Sequence, residues 1–143
     1  MEIVALLILF MIINIHYPRV ERQARIKRRY ANTPVIDVTF DGEEKFEMIV
    51  DTGASCTQIN KKMANALKVE PQGKGYVILA DGSTVEVEVG KVKSIEAGGI
   101  KTDNSDGLIV LIGGSEKDPG LLGQNFYKDY KVIIDRDSVE FRR

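Results

Sequence analysis

The chain has 143 residues, 43% of them hydrophobic, and a formal net charge of −1, which suits one domain with a real core. Six of its 20 bases lie between Arg19 and Arg29 with a single acid among them, so the rest of the chain holds 14 bases against 20 acids. That acidic remainder argues against a nucleic-acid-binding surface. A single cysteine, Cys56, excludes an internal disulfide, and with one histidine, His16, the chain offers no Cys/His cluster of zinc spacing. No metal or other cofactor is predicted.

The first predicted element is an apolar segment. It runs unbroken from Ile3 to Ile13, is interrupted by Asn14, and continues to Tyr17. A helix that spans a membrane needs about 20 apolar residues, and runs of about 10–14 do not decide between a span and a buried helix. We predict that residues 1–18 form an N-terminal hydrophobic helix and anchor the chain in a membrane through residues 3–17. Two alternatives stay open. A cleaved signal peptide would need a basic stretch where Glu2 lies, and a core helix would show a polar stripe.

A basic juxtamembrane linker is predicted over residues 19–33, ahead of a folded domain over residues 34–143. The bases all follow the apolar run, so the positive-inside rule predicts a single-pass protein with its domain in the cytoplasm. A periplasmic or other extracytoplasmic domain is the alternative. The basic stretch either lies along anionic lipid headgroups or is a solvated linker.

Strand-forming residues and frequent glycines predict a mostly β domain. Asp41-Gly42 is expected to be the turn of a first hairpin. The fully apolar run Leu108–Ile112 is expected to lie centrally in a sheet, and the alternation of valines and glutamates over Thr84–Val89 indicates one apolar and one wet face. Strands are predicted over Val35–Phe40, Lys45–Val50, Cys56–Ile59, Tyr76–Leu79, Thr84–Val89, Lys91–Ile95, Leu108–Ile112, Lys131–Asp135 and Ser138–Phe141.

Two short helical segments interrupt the strands. Asn60 is a plausible N-cap for a helix over Lys61–Leu67, with its inward face formed by Met63, Ala66 and Leu67. A helical turn is predicted within Gln124–Tyr130.

The chemistry of the chain centres on Asp51-Thr52-Gly53. The tripeptide follows the apolar residues at the end of a predicted strand and occurs once. Two further features follow in order: a hairpin with Ala80-Asp81-Gly82-Ser83 at its tip, and Leu121-Leu122-Gly123 before the second helical segment. Taken alone, Asp51 could be a helix-capping aspartate in a turn, and Asp81-Gly82 an ordinary type I′ turn.

Together these features resemble the retropepsin family of single-domain aspartic peptidases, and most closely its bacterial, membrane-anchored members. The resemblance covers roughly Pro34 to Phe141. It implies a single-lobe acid-protease barrel, mostly β with one or two short helices. It also implies a homodimer in which each protomer supplies one Asp51 at the two-fold axis, and a polypeptide substrate hydrolysed by water held between the two carboxylates.

The resemblance also implies roles for the neighbours of Asp51. Thr52 would hydrogen-bond across the dimer axis, Gly53 would allow the two loops to approach, and Ala54 would flank the substrate. The tip Ala80-Asp81-Gly82-Ser83 would be a flap that closes on substrate, and Leu121-Leu122-Gly123 would support the aspartate loop from behind.

The chain departs from retroviral members of the family in three ways. Asp81 occupies a tip that carries several glycines in those enzymes, and Ser55 stands where they usually carry an acid. Terminal strands that interlock in their dimers are not recognisable here. The alternative function is a catalytically inactive retropepsin-like module for dimerisation or peptide binding. A third option is a membrane-surface adaptor that acts through its basic stretch.

Overall fold

A computed structural model describes residues 23–143. The predicted anchor over residues 1–18 lies outside this range. Within residues 23–143, no helix has the length and apolar character needed to cross a bilayer.

The described chain is mostly β, as predicted, with 56% of it in strands. It contains eleven strands and two short helices. The strands are β1 (Gln23–Arg25), β2 (Arg28–Tyr30), β3 (Thr33–Phe40), β4 (Glu44–Val50), β5 (Gln58–Ile59), β6 (Gly73–Ile78), β7 (Thr84–Ala97), β8 (Ile100–Ile112), β9 (Gly120–Leu122), β10 (Lys131–Ile134) and β11 (Ser138–Arg142); the helices are α1 (Lys61–Leu67) and α2 (Gln124–Tyr127).

The strands form two sheets around one core. The larger has the order β2-β3-β4-β9-β5-β8-β7-β6, and an additional pairing of β3 with β7 folds it back on itself. The smaller has the order β1-β11-β10. Its buried Phe141 stacks on Tyr127 and meets Phe126 edge to face, with ring centroids 6.0 and 5.4 Å apart. The small sheet and α2 therefore share the core with the large sheet.

The basic stretch differs from the linker predicted over residues 19–33, because β1 and β2 lie within it. Strand β1 pairs with β11, and β2 pairs with β3. Two bases of this stretch form ion pairs with acids on the large sheet. Lys27 Nζ lies 3.2 Å from the Asp37 carboxylate, and Arg28 Nε lies 3.0 Å from the Glu47 carboxylate. The ordered domain thus begins before Pro34.

The hairpin of β3 and β4 forms as predicted. Asp41 and Gly42 both have positive φ, and Glu43 N–H donates to Phe40 C=O at 3.1 Å, which is the pattern of a type I′ turn. The Asp41 carboxylate also accepts the backbone N–H groups of Lys93 and Ser94, at 2.6 and 3.1 Å. This fixes β7 at an irregularity in its pairing with β8.

Helix α1 has the predicted bounds, and the Asn60 side chain accepts the Met63 N–H at 2.9 Å as its cap. Its inward face differs from the prediction in one position. Ala64 is buried next to Met63, whereas Ala66 is exposed. Strand β8 lies inside the large sheet as predicted, but Ile109 is 51% exposed, so the run Leu108–Ile112 is not buried on both faces.

Candidate active site

Asp51 begins the loop that follows β4, and its backbone is held by β9. Strands β4 and β9 run parallel, with Ile49 opposite Leu121 and Val50 opposite Leu122. The Asp51 N–H then donates to Leu122 C=O at 3.2 Å, extending the pairing into the loop. The structure therefore brings Leu121-Leu122-Gly123 directly behind Asp51-Thr52-Gly53.

The carboxylate of Asp51 is half-buried and is oriented by its own loop. Gly53 N–H donates to Asp51 Oδ1 at 2.9 Å, the short-range bond typical of an Asx turn. This is the one hydrogen bond to that carboxylate within residues 23–143. Thr52 and Gly53 are exposed, and Ala54 is half-buried. One chain thus presents one oriented carboxylate at the surface of an open loop.

Helix α2 braces this loop through its polar groups. Gln124 donates from its backbone N–H to Ala54 C=O and from its Nε2 to Thr52 C=O, both at 2.8 Å. The Tyr127 hydroxyl donates to Asp51 C=O at 2.9 Å. Burial first, and the negative charge of Asp51 second, raise the pKa of Tyr127, so this hydroxyl stays protonated as a donor.

A buried network joins the far end of the loop to α2. Asn125 Oδ1 accepts both the Thr57 N–H and the Thr57 hydroxyl, at 2.9 and 2.8 Å. The Thr57 hydroxyl oxygen accepts the Gly123 N–H at 3.1 Å, and Asn125 Nδ2 donates to Ile109 C=O at 2.8 Å. Sequence reasoning missed Thr57, Asn125, Gln124 and Tyr127. The only sequence signal for these four residues was that polar residues border both Asp51-Thr52-Gly53 and Leu121-Leu122-Gly123.

Gly123 occupies a position without room for a side chain. A Cβ there would lie 2.5 Å from the Cys56 carbonyl carbon and 2.8 Å from the Thr57 nitrogen, contacts with backbone that cannot move aside. By contrast, a Cβ on Gly53 would meet only Asp51 Oδ1, at 3.3 Å. Packing within one chain therefore requires glycine at position 123, whereas it does not require glycine at position 53.

Cys56 lies in the same loop and is half-buried. Its Sγ contacts Ile109 C=O at 3.5 Å. Burial raises the pKa of its thiol, which favours the protonated, less nucleophilic form.

The predicted flap is the exposed turn between β6 and β7. Gly82 has a φ of +85°, its N–H donates to Leu79 C=O at 2.9 Å, and Leu79 N–H donates to Ser83 C=O at 2.8 Å. This is a three-residue loop closed by a left-handed glycine, not the type I′ turn that Asp81-Gly82 alone would indicate. Asp81 Oδ1 accepts the hydroxyl and N–H of Ser83, which lower the pKa of that carboxyl.

The hairpin extends beyond the core. Tyr76 and Ile78 are 71% and 75% exposed, and Val85 is 44% exposed. Of the other two valines on the predicted apolar face, Val87 is buried and Val89 is half-buried. Among the described residues, no hydrogen bond joins Ala80-Asp81-Gly82-Ser83 to the Asp51 loop. The structure thus joins the aspartate loop to its support by hydrogen bonds and strand pairing, and shows no such bond to the hairpin tip among the described residues.

The fold and this site define an aspartic-protease architecture, and comparison with known proteins agrees. The family described as "gag-polyprotein putative aspartyl protease" matches residues 36–129, well over half of the chain. The fold is similar to the crystal structure of a retropepsin-like aspartic protease from Rickettsia conorii, with a TM-score of 0.58 and 20% sequence identity over 83% of this chain and 89% of that one. No curated protein sequence matches the chain.

The chain belongs to the retropepsin-like aspartic protease family. The match ends at Asp129, so it includes the Asp51 loop, the hairpin, and Leu121-Leu122-Gly123 with α2.

Proposed function

We propose that the protein is a homodimeric aspartic endopeptidase that hydrolyses peptide bonds with water activated between two Asp51 carboxylates. The observation that carries the proposal is the Asp51 loop itself. One chain holds a single carboxylate in a fixed orientation on an exposed loop whose backbone is braced by β9 and α2. Such a half-site becomes a pair when a second copy meets it across a two-fold axis.

The pair of carboxylates would supply both proton transfers. Two carboxylates in contact cannot both ionise easily, so they share one proton and titrate together. The ionised member takes a proton from the bound water, which attacks the peptide carbonyl carbon. The protonated member gives its proton to the carbonyl oxygen, which leaves a tetrahedral diol. The first carboxyl then passes the proton it took from water to the leaving amine as the C–N bond breaks, and one hydroxyl of the diol returns a proton to the second carboxylate. The chain's own residues carry each of these steps without a cofactor.

The residues around Asp51 have roles consistent with this chemistry. Thr52 and Gly53 are exposed, as residues must be if they meet a second copy, and Ala54 would flank the substrate. The tip Ala80-Asp81-Gly82-Ser83 would close over the bound polypeptide. The exposed apolar side chains of its hairpin would then be covered by substrate, which gives a reason for large apolar groups on a surface.

The location of the enzyme is also a proposal. We infer that residues 3–17 anchor the chain as a single-pass membrane protein of the bacterial, membrane-anchored type. The protease domain would face the cytoplasm by the positive-inside rule, with an extracytoplasmic domain as the alternative. Tethering two copies to one membrane raises their effective concentration and so favours the dimer.

Asp51→Asn tests the proposal. The substitution keeps the shape and the hydrogen bond from Gly53, and removes the ionisable group. Peptidase activity of the full chain should fall at least about a thousandfold, while far-UV circular dichroism and the dimer remain unchanged. Glu43→Gln is the matched control, because Glu43 lies in the turn before β4 and Asp51 follows the other end of that strand.

The outcomes separate the two candidate functions. Loss of cleavage only with Asp51→Asn supports the enzyme. Peptide binding without cleavage by the unaltered chain, unchanged by Asp51→Asn, would support the inactive module.

A further inference from the structure

Four strands of the large sheet place one residue each in a row that begins next to the aspartate loop. Ile49 on β4 lies opposite Leu121 on β9. Gln58 on β5 lies opposite both Leu121 and Leu111, the latter on β8. Residues directly opposite each other have their side chains on the same face of a sheet. Ile49 is two positions before Asp51, so the row begins on the face of β4 that leads to Asp51.

This row faces away from the core and leads to the hairpin of β6 and β7. The next residue along β4, β9 and β5 is buried in each case: Val50, Leu122 and Ile59. Because side chains alternate along a strand, the row lies on the outer face of the sheet. At its far end, Leu111 lies opposite Val89 on β7. The row thus connects the aspartate loop with the hairpin, where a substrate of the proposed enzyme would lie.

Gln58 is the polar member of an otherwise apolar row. Its side chain is half-buried and forms no hydrogen bond with residues 23–143. No buried side-chain nitrogen or oxygen in that range lacks a partner, so the polar atoms of this carboxamide remain accessible. A Cβ added to Gly113 or Gly114 would lie 3.4 or 3.3 Å from Gln58 Nε2. The carboxamide therefore lies against two residues that have no side chain.

A cavity of about 180 Å³ lies over the row. Its lining includes three members of the row, Ile49, Gln58 and Leu121. One water needs only about 10–15 Å³ of such space, so the cavity has room for an amino-acid side chain.

The other polar side chains of the cavity lining already have partners. The Tyr30 hydroxyl donates to Asp118 Oδ1 at 2.9 Å. Asn60 Oδ1 caps α1, and Ser115 Oγ accepts the Lys117 N–H at 3.2 Å. In the described part of the chain, the Gln58 carboxamide is thus the polar group of this cavity that is free to bind a ligand.

A neutral carboxamide both donates and accepts hydrogen bonds. An apolar substrate side chain would cover Gln58 without replacing its bonds to water, which costs free energy. A carboxamide on the substrate could instead form two hydrogen bonds with it, and a site that bonds a substrate group rejects analogues that lack the group. The carboxylate of Asp118 at the same cavity repels acidic side chains. The cavity is therefore complementary to a neutral amide.

We propose that Gln58 is a specificity-determining residue, which selects a polypeptide with glutamine or asparagine at the position that enters this cavity. The proposal rests on the proposed function for the location of the substrate, and it adds the chemical class of side chain that the site takes.

Peptide binding to the full chain carrying Asp51→Asn tests the proposal, because this variant retains the cleft and does not cleave. The probe is a mixture of short synthetic peptides of fully randomised sequence, and the retained peptides are sequenced by mass spectrometry. At one position, glutamine and asparagine should be enriched over methionine and leucine by about threefold to tenfold, the effect of one or two exposed hydrogen bonds.

Three further variants in the same background assign the effect to Gln58. Gln58→Met keeps the length of the side chain and should remove the enrichment. Gln58→Glu replaces the amide with a charged acceptor and should transfer the enrichment to lysine and arginine, a change of preference that a purely structural role would not produce. Gln23→Met is the matched control, because Gln23 is exposed on β1, and it should leave the enrichment unchanged.

The proposal is overturned if no peptide is retained, if amides are not enriched, or if the enrichment survives Gln58→Met. Enrichment of lysine by the chain with Gln58 intact would instead assign selection to Asp118 and would equally overturn it. Failure of the proposed function is a separate result. Amide-selective binding without cleavage by the chain with Asp51 intact would refute the enzyme and leave the role of Gln58 standing, whereas Asp51-dependent cleavage without amide preference would refute only that role.

Discussion

Thr57→Val should loosen the aspartate loop by removing one oxygen at its far end. Thr57 is fully buried, and its hydroxyl donates to Asn125 Oδ1 at 2.8 Å and accepts the Gly123 N–H at 3.1 Å. Valine has nearly the same shape, so the change removes hydrogen bonds and adds no cavity. Losing one bond costs about 1 kcal/mol, and leaving the buried Gly123 N–H without an acceptor costs about 1–3 kcal/mol more. The expected loss of stability is therefore about 2–4 kcal/mol.

Urea unfolding of the full chain, followed by circular dichroism at one fixed protein concentration, would measure this loss. Thr57→Ser is the matched control. It keeps the hydroxyl and loses a methyl group, for a cost near 1 kcal/mol. Thr57→Val should also lower kcat, because the Gly123 end of β9 supports Asp51. If Thr57→Val were as stable as the unaltered chain, or more stable than Thr57→Ser, the buried network would not hold the loop as described.

Further predictions concern the packing of the loop and its tyrosine. Gly123→Ala should destabilise the fold by at least about 1–3 kcal/mol, because its Cβ would overlap the backbone of Cys56 and Thr57 in the Asp51 loop; an unchanged urea midpoint would contradict this. Gly53→Ala should leave stability within about 0.5 kcal/mol yet remove most activity, because the added methyl group lies where two loops would meet; full activity would argue against that meeting. The raised pKa of Tyr127 means that the protonated hydroxyl is favoured by folding, so its contribution is fully present below its ordinary value of 10.0 and is lost as pH rises through the higher folded-state pKa. Stability measured from pH 9 to 12 should therefore fall less steeply for Tyr127→Phe, and an identical fall would contradict the assignment.

Local signals in the sequence predict the elements whose causes are local. The Asp41-Gly42 turn, the Asn60 cap and the bounds of α1 depend on residues within a few positions of one another, and the structure has all three. Pairing of β9 behind Asp51 depends on distant residues, and it was predictable only because Leu121-Leu122-Gly123 belongs to a family pattern.

Features set by tertiary placement were not predictable in the same way. Ile109 is apolar but lies at the surface beside the aspartate loop, and a binary apolar pattern carries no information on which sheet face is covered. Thr57 and Asn125 meet across 68 positions of sequence. The strands β1 and β2 were not predicted, because the charged residues in and between them are typical of a solvated stretch. The acids that pair with these charges lie on other strands, and the sequence alone does not show that they lie opposite.

The central claim is that one active site needs Asp51 from two chains, and mixing tests it most directly. Equal amounts of the unaltered chain and Asp51→Asn would be allowed to exchange subunits, and peptidase activity compared with that of the unaltered chain alone at the same total concentration. Random pairing leaves about one quarter of the dimers with two Asp51 carboxylates, so the account predicts about a quarter of the activity. Activity of about one half would show that each chain works with its own carboxylate, and would contradict it.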